Sequence, residues 1–166
     1  MSGDDLRLAV LADIHGNLPA LEAVLDDVAR QDVDGIVILG DLADRGPYPR
    51  EAVELVRATP AAVIMGDNDT DVLAVAGGSA PEGWQDSLQF APLRWTAARL
   101  GADDLAYMAA RPAQHRLEAD GLPPVRFAHG SPRRADEPVF PDRDLRAADA
   151  LRMVGEAVLA VAHIHE

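Results

Sequence analysis

The sequence predicts an α/β fold, and three observations indicate it. Runs of β-branched and aliphatic residues alternate with helical patterns over residues 6–65, as in the βαβ units of a parallel sheet. Each strand in this region is followed by a glycine-flanked acidic loop, and later strand patterns predict a second sheet. The 166 residues, 48% of them hydrophobic, suit one domain over 1–166 with a single substantial core.

The first half of the chain is predicted to hold three strands and two helices. Both helices place apolar residues on one face, and a proline suits the first turn of the first helix. The elements in chain order are strand 6–12, helix 18–30, strand 36–39, helix 50–58 and strand 61–65.

The second half is predicted to begin with a helical segment, 77–112, which contains helices at 87–100 and 102–110. We expect this segment to cover the sheet or to form a wall of the functional site, and we assign its aromatic residues, Trp95 among them, to the core. The elements that follow are strands 114–119 and 125–128, an exposed loop at 133–143, a helix at 144–155 and a buried strand at 157–162.

The composition excludes several classes of function. Because the chain has no cysteine, histidine and carboxylates are its only strong metal ligands. A formal charge of −13 without a basic stripe argues against binding polymeric nucleic acid. The acidic start Met1–Asp5 is not a basic leader, and no apolar run is long enough to span a bilayer, so we expect a cytoplasmic protein without membrane contact.

The segment from Gly40 to Gly46 is the centre of the predicted site. Asp41 directly follows a buried strand, so its carboxylate would emerge at the carboxyl end of the sheet, where α/β folds bind ligands. A carboxylate buried there would be costly without a cation. Taken alone, the segment is also compatible with a capped turn.

The other strand ends repeat this chemistry. Asp13 and His15 follow the first strand, and a spacing of two in an extended segment directs both side chains to one side. A capping aspartate beside a surface histidine is the alternative. Asp67 follows the third strand, and all histidines except His115 lie just past predicted strands. Together these residues favour a cation site, whose ligand types suit Mn²⁺, Fe, Zn²⁺, Ni²⁺ or Co²⁺.

In five blocks the sequence resembles the calcineurin-like metallophosphoesterases, specifically their small bacterial phosphodiesterase-like members. The blocks occur in order across almost the whole chain: Asp13-x-His15-Gly-Asn17, Gly40-Asp41-x-x-Asp44-Arg45-Gly46, Gly66-Asp67-Asn68-Asp69, His129-Gly130 and His163-x-His165. The resemblance implies an αββα sandwich of two mixed β-sheets flanked by helices. It also implies two divalent metal ions at the carboxyl ends of the strands, with manganese as the first expectation.

The resemblance further implies how the ions are held and what they do. One ion would be bound by Asp13, His15 and His165, the other by Asp67, His129 and His163, with Asp41 bridging them. A hydroxide that bridges the ions would attack a small phosphate ester, a phosphodiester ahead of a monoester.

The remaining motif residues are assigned to substrate and chemistry. Arg45 suits contact with a phosphoryl oxygen, with an ion pair to Asp44 or Asp69 as the alternative. Asn17 is expected to orient a metal ligand or the substrate. Asn68 and Asp69 are the predicted catalytic residues.

Three residues depart from the family pattern, which usually has asparagine at Asp67, histidine at Asn68 and glycine at Ala162. An alignment shifted by one residue would make Asn68 the ligand in place of Asp67. The chain also ends at Glu166, where relatives continue through further strands, so we expect a fold that lacks its C-terminal strands and an edge open to dimerisation. These departures support a competing interpretation, a catalytically weak metal-binding scaffold that recruits a partner.

Overall fold

The computed structural model of this chain describes residues 6–140 and 145–165, without the side chains of residues 145–147. Several predicted features fall partly or wholly outside these residues. They are the acidic start Met1–Asp5, the end of the loop 133–143, the beginning of the helix 144–155 including the Leu145 side chain, and the final residue Glu166.

The predicted α/β fold is confirmed, beginning with a parallel first sheet. Strands β1 (Leu8–Leu11), β2 (Gly35–Ile38) and β3 (Ala61–Val63) lie in that order, and helices α1 (Leu18–Val28) and α2 (Pro49–Ala58) connect them. The elements differ from the predicted bounds only at their ends, where strand pairing and helical hydrogen bonding give way to turns.

The second sheet is mixed. Strand β4 (Gln114–Leu117) pairs antiparallel with β5 (Val125–Ala128), which pairs in parallel with β6 (Val158–Ala160). Helix α6 (Leu145–Met153) precedes β6. All three strands were predicted from the sequence, at 114–119, 125–128 and 157–162.

The two sheets share a buried interface. Val37 and Leu39 form a cluster with Ile64 and Phe127, to which both sheets contribute. Ile38, between them in sequence, belongs instead to the cluster that the first sheet makes with the helices. This alternation follows the pleat of the strand and places one core on each face of the first sheet.

Helix α3 (Asp67–Ala76) was not predicted. The run from Asp67 to Asp69 is made of weak helix formers, which favoured a loop at this position. The helix begins after Gly66, whose N–H donates to the side chain of Asp69 at 3.0 Å and thereby closes the first turn. An acidic residue three positions after a glycine, ahead of apolar Val72, was the signal available in the sequence.

Helices α4 (Ala91–Ala97) and α5 (Ala102–Ala109) pack against α3, and a 3₁₀ turn at Leu88–Phe90 precedes them. Their core residues Leu93 and Met108 are buried. Trp95 is 39% exposed, so its assignment to the core is wrong. Within the described residues, no helix has the length and apolar character needed to cross a membrane.

Candidate metal centre

The segments that follow β1, β2, β3, β5 and β6 meet at one edge of the two sheets. Their ligand-type side chains form three groups within the described residues, and in each group the potential ligand atoms all lie within 4.8 Å of one another. The groups are Asp13 with His15 and His165, Asp67 with His129 and His163, and Asp13 with Asp41 and His129.

The first two groups are organised around one carboxylate oxygen each. Asp13 Oδ1 lies 3.0 Å from His165 Nε2 and 3.8 Å from His15 Nε2. Asp67 Oδ1 lies 2.9 Å from His129 Nε2 and 3.1 Å from His163 Nδ1. Each group could hold one cation between a carboxylate and two imidazoles.

Asp41 stands between these groups. Its Oδ2 atom is 3.5 Å from His15 Nε2 and 3.4 Å from His129 Nε2. The structure therefore brings together all seven side chains named as ligands from the sequence, in the grouping that the resemblance implied. Their coordination of metal stays a prediction.

The backbone at these residues is turned, not extended. Asp13, His15, Asp41 and His163 all have positive φ values, between 49° and 69°. The expectation that Asp13 and His15 converge because their segment is extended is therefore wrong, since left-handed turns bring them together. Such conformations are costly for non-glycine residues and cluster at functional sites.

Two histidines are oriented by backbone carbonyls. His15 Nδ1 lies 3.1 Å from the carbonyl oxygen of Asp44, and His129 Nδ1 lies 2.6 Å from that of Leu39. When Nδ1–H donates to these carbonyls, the lone pair of Nε2 points into the centre, as in histidines that bind metal.

The buried polar atoms at the centre fit a cation. Asp13 Oδ1, His15 Nε2 and His129 Nε2 are buried and make no hydrogen bond of suitable geometry with the described residues, although Asp13 Oδ1 and His129 Nε2 lie 3.0 and 2.9 Å from His165 and Asp67. Leaving a buried polar group unsatisfied costs about 1–3 kcal/mol, and a cation would satisfy all three atoms at once.

A proton on His129 balances part of the negative charge of the neighbouring carboxylates. Burial opposes protonation of His129, but the carboxylates of Asp41 and Asp67 outweigh it and raise the pKa of His129 to about 10. Burial also acts against ionisation of Asp67, but His129 and His163 lower its pKa to about 2. Without a bound cation, the proton on His129 thus supplies positive charge beside the carboxylates, and a cation bound here would replace that proton.

Asn68 and Asp69 support the central carboxylate. The backbone N–H of Asn68 donates to Asp41 Oδ1 at 3.0 Å, and its side-chain amide donates to Asp41 Oδ2 at 2.7 Å. Asp69 is buried, and its carboxylate accepts hydrogen bonds from the backbone N–H groups of Asp41, Leu42 and Gly66. Asp69, named as catalytic from the sequence, therefore orders the loops and belongs to none of the three ligand groups, and its catalytic role stays a prediction.

Glycines allow the loops after β2 and β3 to touch. A Cβ atom on Gly66 would lie 2.1 Å from Asp41 Oδ1, and one on Gly40 would lie 2.2 Å from the backbone nitrogen of Gly66. A side chain at Gly66 would displace Asp41, and one at Gly40 would push apart the loops after β2 and β3.

The predicted substrate residues lie at the rim. Arg45 is exposed, has φ 78°, and makes no ion pair within the described part of the chain, so its predicted pairing with Asp44 or Asp69 is not observed. Burial lowers the pKa of His15, Asp41 opposes this effect, and the charge of Arg45 adds to it. Asn17 is exposed and caps α1, its Oδ1 accepting from the backbone of Ala20 at 3.3 Å.

Sequence reasoning missed one buried pair that supports this rim. Thr96 of α4 donates a hydrogen bond of 3.0 Å to Asp44 Oδ1, and both side chains are buried. Asp44 also presents the carbonyl that contacts His15. No sequence signal connects residues 52 positions apart, so only the folded chain reveals this link.

Comparisons with known proteins agree with this geometry. The profile of the calcineurin-like phosphoesterase family matches residues 6–166. An uncharacterised protein of Methanocaldococcus jannaschii is 31% identical over 137 residues, which cover 81% of this chain and 54% of that protein. A symmetrical bis(5'-nucleosyl)-tetraphosphatase of Methylococcus capsulatus is 29% identical over 80% of this chain and 49% of its own length.

A solved structure is similar over nearly the whole chain. The crystal structure of a metallophosphoesterase from Sphaerobacter thermophilus superposes with a TM-score of 0.75 at 33% identity, covering 96% of this chain and 61% of the other. The present chain spans about half the length of the two curated relatives.

Proposed function

Because this chain belongs to the calcineurin-like phosphoesterase family, we propose that it hydrolyses small phosphate esters at a centre of two divalent metal ions. The observation that carries the proposal is the convergence of three carboxylates and four imidazoles into groups whose potential ligand atoms lie within 4.8 Å of one another. Asp13 Oδ1, His15 Nε2 and His129 Nε2 lack hydrogen bonds of suitable geometry, and both histidine atoms lie within 3.5 Å of Asp41 Oδ2.

Each ion would be held by a group of three residues, with Asp41 between the two groups. Asp13, His15 and His165 would hold one ion, and Asp67, His129 and His163 would hold the other, with manganese the first ion to test. When bound, divalent ions activate water for attack and neutralise the charge that develops on the phosphoryl oxygens. His129 must lose its proton to bind metal, so metal binding releases a proton at neutral pH.

Arg45 binds a phosphoryl oxygen of the substrate. Its guanidinium is exposed, unpaired within the described residues, and close enough to His15 to influence that residue's pKa. A planar guanidinium can donate two parallel hydrogen bonds to a phosphoryl group. Asn17 is exposed on the loop after β1, and its amide contacts the substrate.

A phosphodiester is the preferred substrate class, ahead of a monoester. This order follows the resemblance of the sequence to phosphodiesterase-like members of the family. The name of the Methylococcus capsulatus relative makes dinucleoside polyphosphates a second class to assay.

The test combines metal analysis with turnover. Protein loaded with Mn²⁺ should hold two ions per chain and hydrolyse bis(p-nitrophenyl) phosphate, and a chelator should abolish the activity. Asp41→Ala should lose both ions, whereas His15→Ala should mainly weaken one. His115→Ala is the control, because His115 lies in β4 and belongs to none of the three groups.

Two results would contradict the proposal. One ion or none in folded, Mn²⁺-supplemented protein would exclude the dinuclear centre. Two bound ions without hydrolysis of any ester would favour the metal-binding scaffold.

A further inference from the structure

We propose that a cavity beside Arg45 binds an aromatic ring of the substrate's organic group, such as a nucleobase. This inference rests on the proposed function. The cavity measures about 450 Å³ and lies between the loop after β2 and helix α4. Its walls include Arg45, Pro47, Ala91, Pro92, Trp95 and Thr96. Its volume falls within the range of roughly 300–1,000 Å³ typical of small-molecule sites.

The cavity adjoins the metal centre. Gly46, which also lines it, packs so closely on the loop after β1 that an added Cβ would lie 2.0 Å from the carbonyl oxygen of His15. Arg45 contributes to the cavity wall and also acts on the pKa of His15. A phosphate held between the ligand groups and Arg45 would therefore have its organic group beside this cavity.

The walls suit a flat apolar ring. Two prolines and an alanine provide apolar surface, and Trp95 is 39% exposed although tryptophan is usually well buried. The guanidinium carbon of Arg99 lies 3.5 Å from the centroid of the Trp95 ring, and Arg99 also donates to the Trp95 carbonyl at 3.2 Å. Arg99 therefore stacks on one face of the indole, so a ligand ring would stack on the opposite face.

The cavity wall is tied to the metal centre by one buried residue. Asp44 accepts a hydrogen bond from Thr96 at 3.0 Å, and its carbonyl oxygen lies 3.1 Å from His15 Nδ1. Helix α4 and His15 are therefore held through the same residue. This connection limits movement of helix α4 relative to His15.

The experiment compares two ligands that share a phosphate and differ in the base. Adenosine 5′-monophosphate and ribose 5-phosphate are titrated into the full chain loaded with Mn²⁺ by calorimetry. The nucleotide should bind about tenfold more tightly, the gain expected from stacking one base on an aromatic side chain. Trp95→Ala should reduce this ratio to near one, and Trp95→Phe should keep most of it.

Trp84→Phe is the matched control, because Trp84 stacks on Phe90 with ring centroids 4.3 Å apart and does not line the cavity. This variant leaves Trp95 as the only tryptophan, since the chain has two. Its emission should change with the nucleotide and not with ribose 5-phosphate, which tests the site even if Trp95→Ala fails to fold. Equal affinity of the two ligands for the unmodified chain, or a nucleotide advantage that survives Trp95→Ala, would overturn the inference.

The experiments distinguish failure of the proposed enzymatic activity from failure of the ring site. If the protein hydrolyses no ester but still prefers the nucleotide, and Trp95→Ala loses that preference, the ring site is supported and the proposed enzymatic activity is contradicted. If the protein hydrolyses bis(p-nitrophenyl) phosphate but shows no base-dependent binding, the enzymatic activity is supported and the ring site is contradicted.

Discussion

The side-chain amide of Asn68 donates a 2.7 Å hydrogen bond to Asp41 Oδ2, the oxygen that lies between His15 and His129. The backbone N–H of Asn68 holds the other oxygen of the same carboxylate at 3.0 Å. One residue thus orients the carboxylate that both ligand groups share.

Asn68→His should change how the rate depends on the leaving group. Asparagine donates hydrogen bonds but cannot deliver a proton at neutral pH, whereas a general acid contributes about 10²–10⁴-fold when the leaving oxygen needs protonation. We expect the histidine variant to gain more on alkyl diesters than on aryl diesters. Rates on a series of leaving groups at saturating Mn²⁺ measure this.

Asn68→Ala is the control for that series. It removes the contact with Asp41 Oδ2 without adding a proton donor, so its rates should fall evenly across leaving groups. The same dependence on leaving-group pKa in the unmodified and histidine chains would show that residue 68 does not occupy the acid position.

Asp67→Asn should weaken metal retention. Asp67 Oδ1 lies near both His129 and His163, and an amide in its place removes one negative charge from that group. We expect metal affinity to fall by about tenfold or more, at least the loss seen when supporting partners of metal ligands are removed. Competition with a fluorescent chelator gives the affinities, and an unchanged affinity would place the ligand elsewhere, for instance at Asn68.

The chelator-treated protein should lose stability as the pH rises. The pKa of His129 is raised from its usual 6.5 to about 10, because Asp41 and Asp67 outweigh the effect of burial. The folded protein therefore holds this proton more tightly than the unfolded chain does. The stabilisation is fully present below about pH 6.5 and is lost as the pH approaches 10.

Asp67 does not contribute to the loss of stability between about pH 6.5 and 10. Its pKa of about 2 lies below the usual value, so its stabilisation is lost only as the pH falls toward 2. Thermal melts of the chelated protein between pH 6 and 10 measure the effect of His129. His129→Gln should flatten the curve, and an identical slope in this variant would assign the loss to another group.

Thr96→Val should destabilise the protein by about 1–3 kcal/mol, because it leaves the buried carboxylate of Asp44 without its hydroxyl partner. Thr96→Ser retains the hydroxyl and should lose much less. Urea unfolding of the chelated proteins gives the free energies. Equal losses for the two variants would indicate packing of the threonine methyl group as the main contribution.

Local sequence patterns were enough to predict the strands, two of the crossover helices and the residue types at the metal centre. β-branched runs specify buried strands, and residues just past parallel strands must meet at one edge of a sheet. Strand polarity alone therefore groups Asp13, Asp41 and Asp67. Helix α3 was missed because its first turn is stabilised by Asp69, a residue that also binds the loop after β2.

The sequence by itself determined which side chains gather at the end of the first sheet, because strand polarity and side-chain chemistry are local properties. The tertiary structure decided how they are oriented. The resemblance had already assigned His163 and His165 to different groups, and the structure gives the reason, a positive φ at His163 that turns the chain between them. The exposure of Trp95 and the link from Thr96 to Asp44 also depend on how α4 packs, because contacts between distant segments are set by the whole fold and leave no periodic signal in the chain.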